Sequence, residues 1–136
     1  MPTQQDRAQI RAVVTGLNRV AEITVTDLTL TVHSELVRVS PVDTGNFAAN
    51  WVPRVGAPSE TVFDARTNKG PASAAVARGV ASVANYRLSR GAVYVTNNTV
   101  YGEILNAGSS SQEPAGFVER SIANAIRKVR ARGAGI

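Results

Sequence analysis

Between residues 4 and 39 the chain has no proline and one glycine, Gly16, and a single apolar stripe runs through that stretch. Its members are Ile10, Val13, Val14, Leu17, Ala21, Val25, Leu28, Val32, Leu36 and Val39. From Leu17 the spacings are four, four, three, four, four and three. That period belongs to one face of a helix. Local composition pulls the other way, because Thr24, Thr26, Thr29 and Thr31 with Ile23, Val25 and Val32 favour strand on propensity. The stripe passes through the threonines without slipping, so it decides the matter, with Gly16 and Ala21 as the places where a break would fall. A helix of this length need not be buried throughout, and its free part can pack on a neighbouring subunit. The stripe places His33, the single histidine, beside the apolar face. With no second histidine and no cysteine in the chain, a zinc site has too few ligands.

The helix has to stop at Ser40, because Pro41 pushes the residue before it out of helical dihedrals. Asp43 is placed to bond backbone two residues on, and Gly45 can take a positive φ without Cβ strain, so residues 41–45 read as a tight turn. Phe47, Ala49 and the single tryptophan, Trp51, then alternate with Ala48, Asn50 and Val52, which predicts a strand over about 46–55. Pro53 removes one ladder donor and marks an edge strand or a strand end. An edge needs cover, and in a ring a neighbouring subunit can supply it.

Residues 56–71 are polar and punctuated by Gly56, Pro58, Gly70 and Pro71, so they read as a long loop, with a short turn or strand near Thr61–Phe63. Long loops are often functional. Arg66 and Lys69 lie in it, either on a mobile excursion or on an arm that touches a neighbour or lines a channel. The alanine-rich run at about 72–85 is a helix preceded by Pro71, with Val76, Val80, Val83, Ala72 and Ala84 as its apolar face. Gly79 in its middle costs about 1 kcal/mol against alanine, which a close backbone approach would explain. Residues 88–91 form a turn and 92–97 a strand with Val93 and Val95 on one face. A short helix from Tyr101 to Ala107 and a sharp turn at Gly108 follow. The last helix spans about 115–131, with Pro114 and Ala115 at its start and Val118, Ile122, Ala125, Ile126 and Val129 inward. The expectation is one α+β domain over 1–136, with residues 1–39 as its helical N-terminal part.

Chemistry has little to work with. The chain has no cysteine, one histidine, no phosphate-cradling glycine loop and, among its ten carboxylates, no evident acid–base pair. Asp43 is the best-placed polar residue, and closing its turn accounts for it. We therefore expect no enzyme activity, no cofactor and no metal. No basic-then-apolar leader and no run near the ~20 apolar residues of a membrane span is visible, so no membrane partner is expected and synthesis in the cytoplasm is. Asn97-Asn98-Thr99 matches a glycosylation sequon, read as chance without a secretory signal. The net charge of +5 is concentrated at the C-terminal end, in Arg120, Arg127, Lys128, Arg130 and Arg132. Those cations either complement the helix dipole in solvent or contact phosphate or an acidic partner.

Two blocks of the sequence carry a resemblance. The first is Pro41-Val42-Asp43-Thr44-Gly45 followed by a segment with Trp51. The second is Asn97-Asn98, Tyr101, Gly108-Ser109 and Pro114-Ala115-Gly116, in that order before the last helix. Together they resemble the neck and tail-completion (head–tail joining) proteins of tailed bacteriophages, over about residues 30–130. The resemblance implies a structural virion protein of the head-to-tail interface. It would form a homo-oligomeric ring, of six or twelve copies, that joins the head-completion (connector) side to the tail, with DNA passing through without sequence readout. Its partners would be itself and the neighbouring connector and tail proteins. A tail terminator, also a small ring subunit, is one alternative. A small basic DNA-binding accessory protein, using Arg127, Lys128, Arg130 and Arg132 on phosphates, is the other.

Overall fold

A computed structural model describes residues 1–40, 46–62, 71–100, 105–109 and 115–133. Its longest element, α1 (Gln4–Val39), opens with a capping box. Thr3 Oγ1 accepts from the Asp6 amide at 3.0 Å, and the Thr3 amide donates to Asp6 Oδ2 at 2.9 Å. The helix ends at Ser40, which is extended (φ −58°, ψ 137°), as the residue before a proline must be. Two of the threonines that argue for strand hand their hydroxyls to the helix itself: Thr24 donates to the Val20 carbonyl at 2.9 Å and Thr31 to the Asp27 carbonyl at 2.7 Å.

The strand expected over 46–55 is only half a strand. Residues Asn46–Ala49 form a single helical turn, α2, and the strand β1 is Trp51–Val55. Burial gives the reason. Phe47, Ala48, Ala49 and Asn50 are all buried, at 4%, 2%, 2% and 0% exposure, and a strand cannot turn consecutive side chains to one side. Phe47 and Trp51 still share a face, because positions i and i+4 coincide in both periods. Their rings meet edge-to-face at 5.6 Å, and Phe47 meets Phe117 the same way at 6.1 Å.

Strand β1 pairs antiparallel with β2 (Val93–Asn97), Trp51 opposite Asn97 and Val55 opposite Val93, as a two-stranded sheet. The Gly56 amide bonds the Ala92 carbonyl at 2.8 Å. Counting back from it, Pro53 falls at a position whose amide would point away from β2, so the ladder loses nothing by its presence. The chain approaches β2 through a 3₁₀ turn, Leu88–Arg90, where a turn is expected.

Helix α3 is Pro71–Ser82, ending three residues before the predicted end, and of the predicted apolar face Val83, just past the helix, is buried while others are not. Ala75, Gly79 and Val83 face the core, whereas Val76 and Val80 are 39% and 53% exposed and Ala84 is exposed too. Gly79 sets this rotation. A Cβ built there would lie 2.4 Å from His33 Nδ1, so only glycine lets the helix backbone lie on the imidazole. His33 is not beside the apolar face; it is 1% exposed and at the centre of the packing.

The last helix, α4, is Phe117–Ala131 and starts two residues later than expected. Gly116 in the left-handed region (φ 78°) precedes it. It runs antiparallel along the second half of α1, with Lys128 beside Glu35 and Arg132 beside Asp27. Its inward row is Phe117, Ser121, Ala125 and Val129, while Ile122 is 42% exposed. Phe117, fully buried, fixes the rotation one residue from the predicted stripe. The Ser121 hydroxyl this brings inward is satisfied by the Phe117 carbonyl at 2.8 Å. The core cluster gathers Leu36, Val37, Phe47, Ala48, Trp51, Ala75 and Phe117, so every helix and β1 contribute to it.

Two outcomes test this packing. Gly79→Ala gains helix propensity of about 1 kcal/mol but overpacks His33 at a cost of about 1–3 kcal/mol, so chemical denaturation should show a net loss. His33 has its pKa lowered from 6.5, first by burial and further by the Arg78 charge, against the opposing Trp51 hydrogen bond. The unfolded chain therefore binds the proton more readily. This contribution to stability is complete above pH 6.5 and is lost as pH falls through the lower folded value. Melting temperature should drop as pH is lowered from 6.5, and the drop should be smaller in His33→Gln, which retains a donor but does not titrate.

Candidate interaction surface

The two blocks that carry the family resemblance meet in space where they are described. Trp51 and Asn97 are partners in the sheet register. The Trp51 indole N–H donates to Ser40 Oγ at 2.8 Å, and its carbonyl accepts from His33 Nε2 at 2.9 Å. Because the acceptor is a carbonyl, Nε2 carries the proton. Asn97 Nδ2 donates to the Phe47 carbonyl at 2.8 Å, while its Oδ1 accepts from the Thr99 amide and hydroxyl. Asn98 Nδ2 donates to the Ser59 carbonyl at 2.6 Å and so holds the chain beyond β1 against the chain beyond β2. These residues join segments to each other. Their side-chain hydrogen-bonding groups are directed at backbone and side-chain partners within the chain rather than at open space.

Gly108 (φ 100°) and Gly116 bring the turn Leu105–Ser109 against the start of α4. A Cβ on Gly108 would lie 3.1 Å from that of Ala115, and the Gly116 amide donates to the Asn106 carbonyl at 2.8 Å. Asn106 then caps α4: its Oδ1 accepts from the Val118 amide at 3.0 Å and its Nδ2 donates to Glu119 at 3.1 Å. Glu119 has its carboxyl held below the usual range, chiefly by its own backbone amide and then by Asn106. Sequence reasoning missed Asn106 as a cap; its position eleven residues before Phe117 gives no local signal. Pro41, Asp43, Thr44, Gly45, Arg66, Lys69, Tyr101 and Pro114 lie outside the described residues.

The basic C-terminal group divides in two. Lys128 Nζ bonds Glu35. Arg132 reaches Asp27 at 2.7 Å and the Thr31 hydroxyl at 2.6 Å. Glu35 is 3% exposed and also accepts from Arg38 at 2.8 Å. Burial acts to raise its pKa, but the hydrogen bonds and charges of Lys128 and Arg38 outweigh that, and it sits below its ordinary 4.5. Two of the four cations considered for phosphate are thus used in holding α4 to α1. Arg127 bonds Asn124 within its own helix, and Arg130 is exposed.

The largest unsatisfied feature is apolar. Every residue from 1 to 20 is exposed. Contact with the body begins at Glu22, which accepts the Leu88 amide at 2.9 Å and lies 3.8 Å from Arg87. The N-terminal half of α1 therefore projects as an arm about 25 Å long, taking 1.5 Å per residue. Along one side of it lie Ile10, Val13, Val14, Leu17 and Val20, exposed by 58%, 62%, 48%, 65% and 55%. Among the described residues no group of three or more His, Cys, Asp or Glu side chains is placed to hold a metal ion, and no helix is long and apolar enough to cross a membrane.

Removing the α4 cations should sort them by these roles. Lys128→Ala and Arg132→Ala should each lower stability by about 0.5–1 kcal/mol, the range for partly exposed ion pairs. Arg127→Ala and Arg130→Ala should leave it unchanged in urea denaturation.

No protein-family model, no curated protein and no solved structure matches this chain.

Proposed function

We propose that this chain is a structural subunit that assembles with copies of itself into a ring at the head-to-tail interface of a tailed bacteriophage particle, between the connector and the tail. The observation that carries this reading is the arm: a helix of 36 residues whose first half presents a row of large aliphatic side chains to solvent. A chain that functions alone gains nothing from holding such a row clear of its own core, whereas a repeated contact covers it in every copy. The head–tail junction comes from the resemblance in the two sequence blocks, of whose described members Trp51 and Asn97 pair in the sheet. Six or twelve copies fit the symmetry of tails and portals, and DNA would pass through without base readout. A tail terminator fits the same physics and differs in which neighbour it meets. The reading as a DNA-binding accessory protein is weakened by Lys128 and Arg132, whose charges are spent on Glu35 and Asp27.

The reading is tested in cells that produce the particles. Peptides of this chain should be found in purified virions, and loss of its gene should leave DNA-filled heads and separate tails that fail to join. Joined, infectious particles assembled without the chain would refute it.

A further inference from the structure

Among the described residues, the arm is one of two apolar helix faces exposed to solvent. The other is the outer side of α3, where Val76, Ala77, Val80 and Ala81 are exposed at helical spacing. The two faces differ in a complementary way. The arm carries bulky Ile10, Val13, Val14, Leu17 and Val20, whereas α3 offers two valines among alanines, and small residues let helix axes approach to about 8 Å. The exposed row on α3 covers about one and a half turns, so it receives part of the arm's row, which covers nearly three. Within one chain the arm leads away from the body beyond Glu22, with its base at Arg19 bordering the groove that Val80 also lines.

We propose that the arm of each subunit docks on the outer face of α3 of the next copy, a head-to-tail contact that repeats around the assembly. This rests on the reading of the chain as a self-assembling subunit and names the surfaces that would do it. Charge separates this contact from the obvious rival, the pairing of two arms. Residues 1–20 carry Arg7, Arg11 and Arg19 against Asp6, which the capping box already uses. Pairing arm with arm would collect two such sets of arginines on one small interface. The described part of α3 has a single charged residue, Arg78, and its guanidinium is turned inward to the Ala49 carbonyl at 2.5 Å. An arm lying on α3 therefore meets no opposing row of cations. Area agrees as well. Five half-exposed aliphatic side chains present on the order of 500 Å², the size at which a monomer's apolar patch becomes an interaction site. With the smaller α3 face added, one such contact stays below the roughly 1,200 Å² of a specific interface, and each subunit in a ring makes it twice. Head-to-tail contacts use two different patches per chain, so they close into rings when the rotation allows.

The test uses two full-length variants altered only at exposed positions, Leu17→Glu in the arm and Val80→Glu on α3, with circular dichroism confirming the wild-type fold in each. Each variant alone should be monomeric, with self-association weakened by about 100-fold or more, as expected when a central interface residue is replaced by a charge. Mixed one to one, they should form a dimer of one copy of each and nothing larger, because the mixture retains one intact arm and one intact α3 face. Val80→Glu that assembles like wild type would overturn the docking on α3, and so would a mixture that stays monomeric. If only Leu17→Glu fails to assemble, the arms pair with each other and the proposal is wrong. A wild-type chain that is itself monomeric at every concentration would remove the self-assembling subunit as well, and that outcome is distinct from the others.

Discussion

One hydrogen bond ties three elements that are distant in sequence. His33 Nε2 donates to the carbonyl of Trp51 at 2.9 Å, and the other edge of the same imidazole lies against the backbone of α3 at Gly79. The ring is therefore a spacer between α1, β1 and α3, and each neighbour is shaped to it. Gly79 has no Cβ because there is no room for one. Trp51 offers its carbonyl inward at the strand start while its indole reaches back to Ser40 at the end of α1. The rotation of α3 about this contact puts Ala75 and Val83 inside and leaves Val76 and Val80 outside. The surface of α3 is thus a consequence of the core, and the apolar face proposed for assembly exists because glycine, and not valine, faces the histidine.

How much of this was legible in the sequence depends on the range of the cause. Helix α1 was legible to its last residue, because its period persists for 36 residues and Pro41 ends it. The two strands and the last helix were legible in kind and roughly in place. The miss at Phe47–Asn50 came from an ambiguity of the pattern itself, since Phe47 and Trp51 fall together in both a strand and a helix, and only the burial of the residues between them separates the two. The buried faces of α3 and α4 were read correctly at Val83, Ala125 and Val129 and misjudged elsewhere for a different reason. In each, a small or polar residue (Gly79 in α3, Ser121 in α4) takes an inward position that a hydrophobicity pattern gives to valine or isoleucine. Those choices are dictated by His33 and Phe117, partners that the local sequence does not reveal. The candidate site was half visible: the basic group stood out, but its division into structural Lys128 and Arg132 and exposed Arg130 depends on acids some 90 to 105 positions away.

The charge arrangement and the apolar arrangement point in the same direction. Asp27, Glu35, Lys128 and Arg132 join the second half of α1 to α4, and Glu22 fastens it to the turn at Leu88. The first half of α1 has neither acids free to pair nor a core to join. It stays helical as an extension of an anchored helix, where each added residue needs only propagation and no new nucleus. Such an arm is cheap to form and easily frayed, and a partner that covers its apolar side would hold it. The account therefore makes the order of the first twenty residues depend on a second copy.

Amide hydrogen exchange, followed by mass spectrometry at several protein concentrations, tests this most directly. The account predicts that protection over residues 4–20 and over the outer turns of α3 rises together as concentration increases, while the core around His33 and Phe117 is unchanged. Exchange in the arm that is fast at every concentration, or protection that is already complete in dilute monomer, would contradict it.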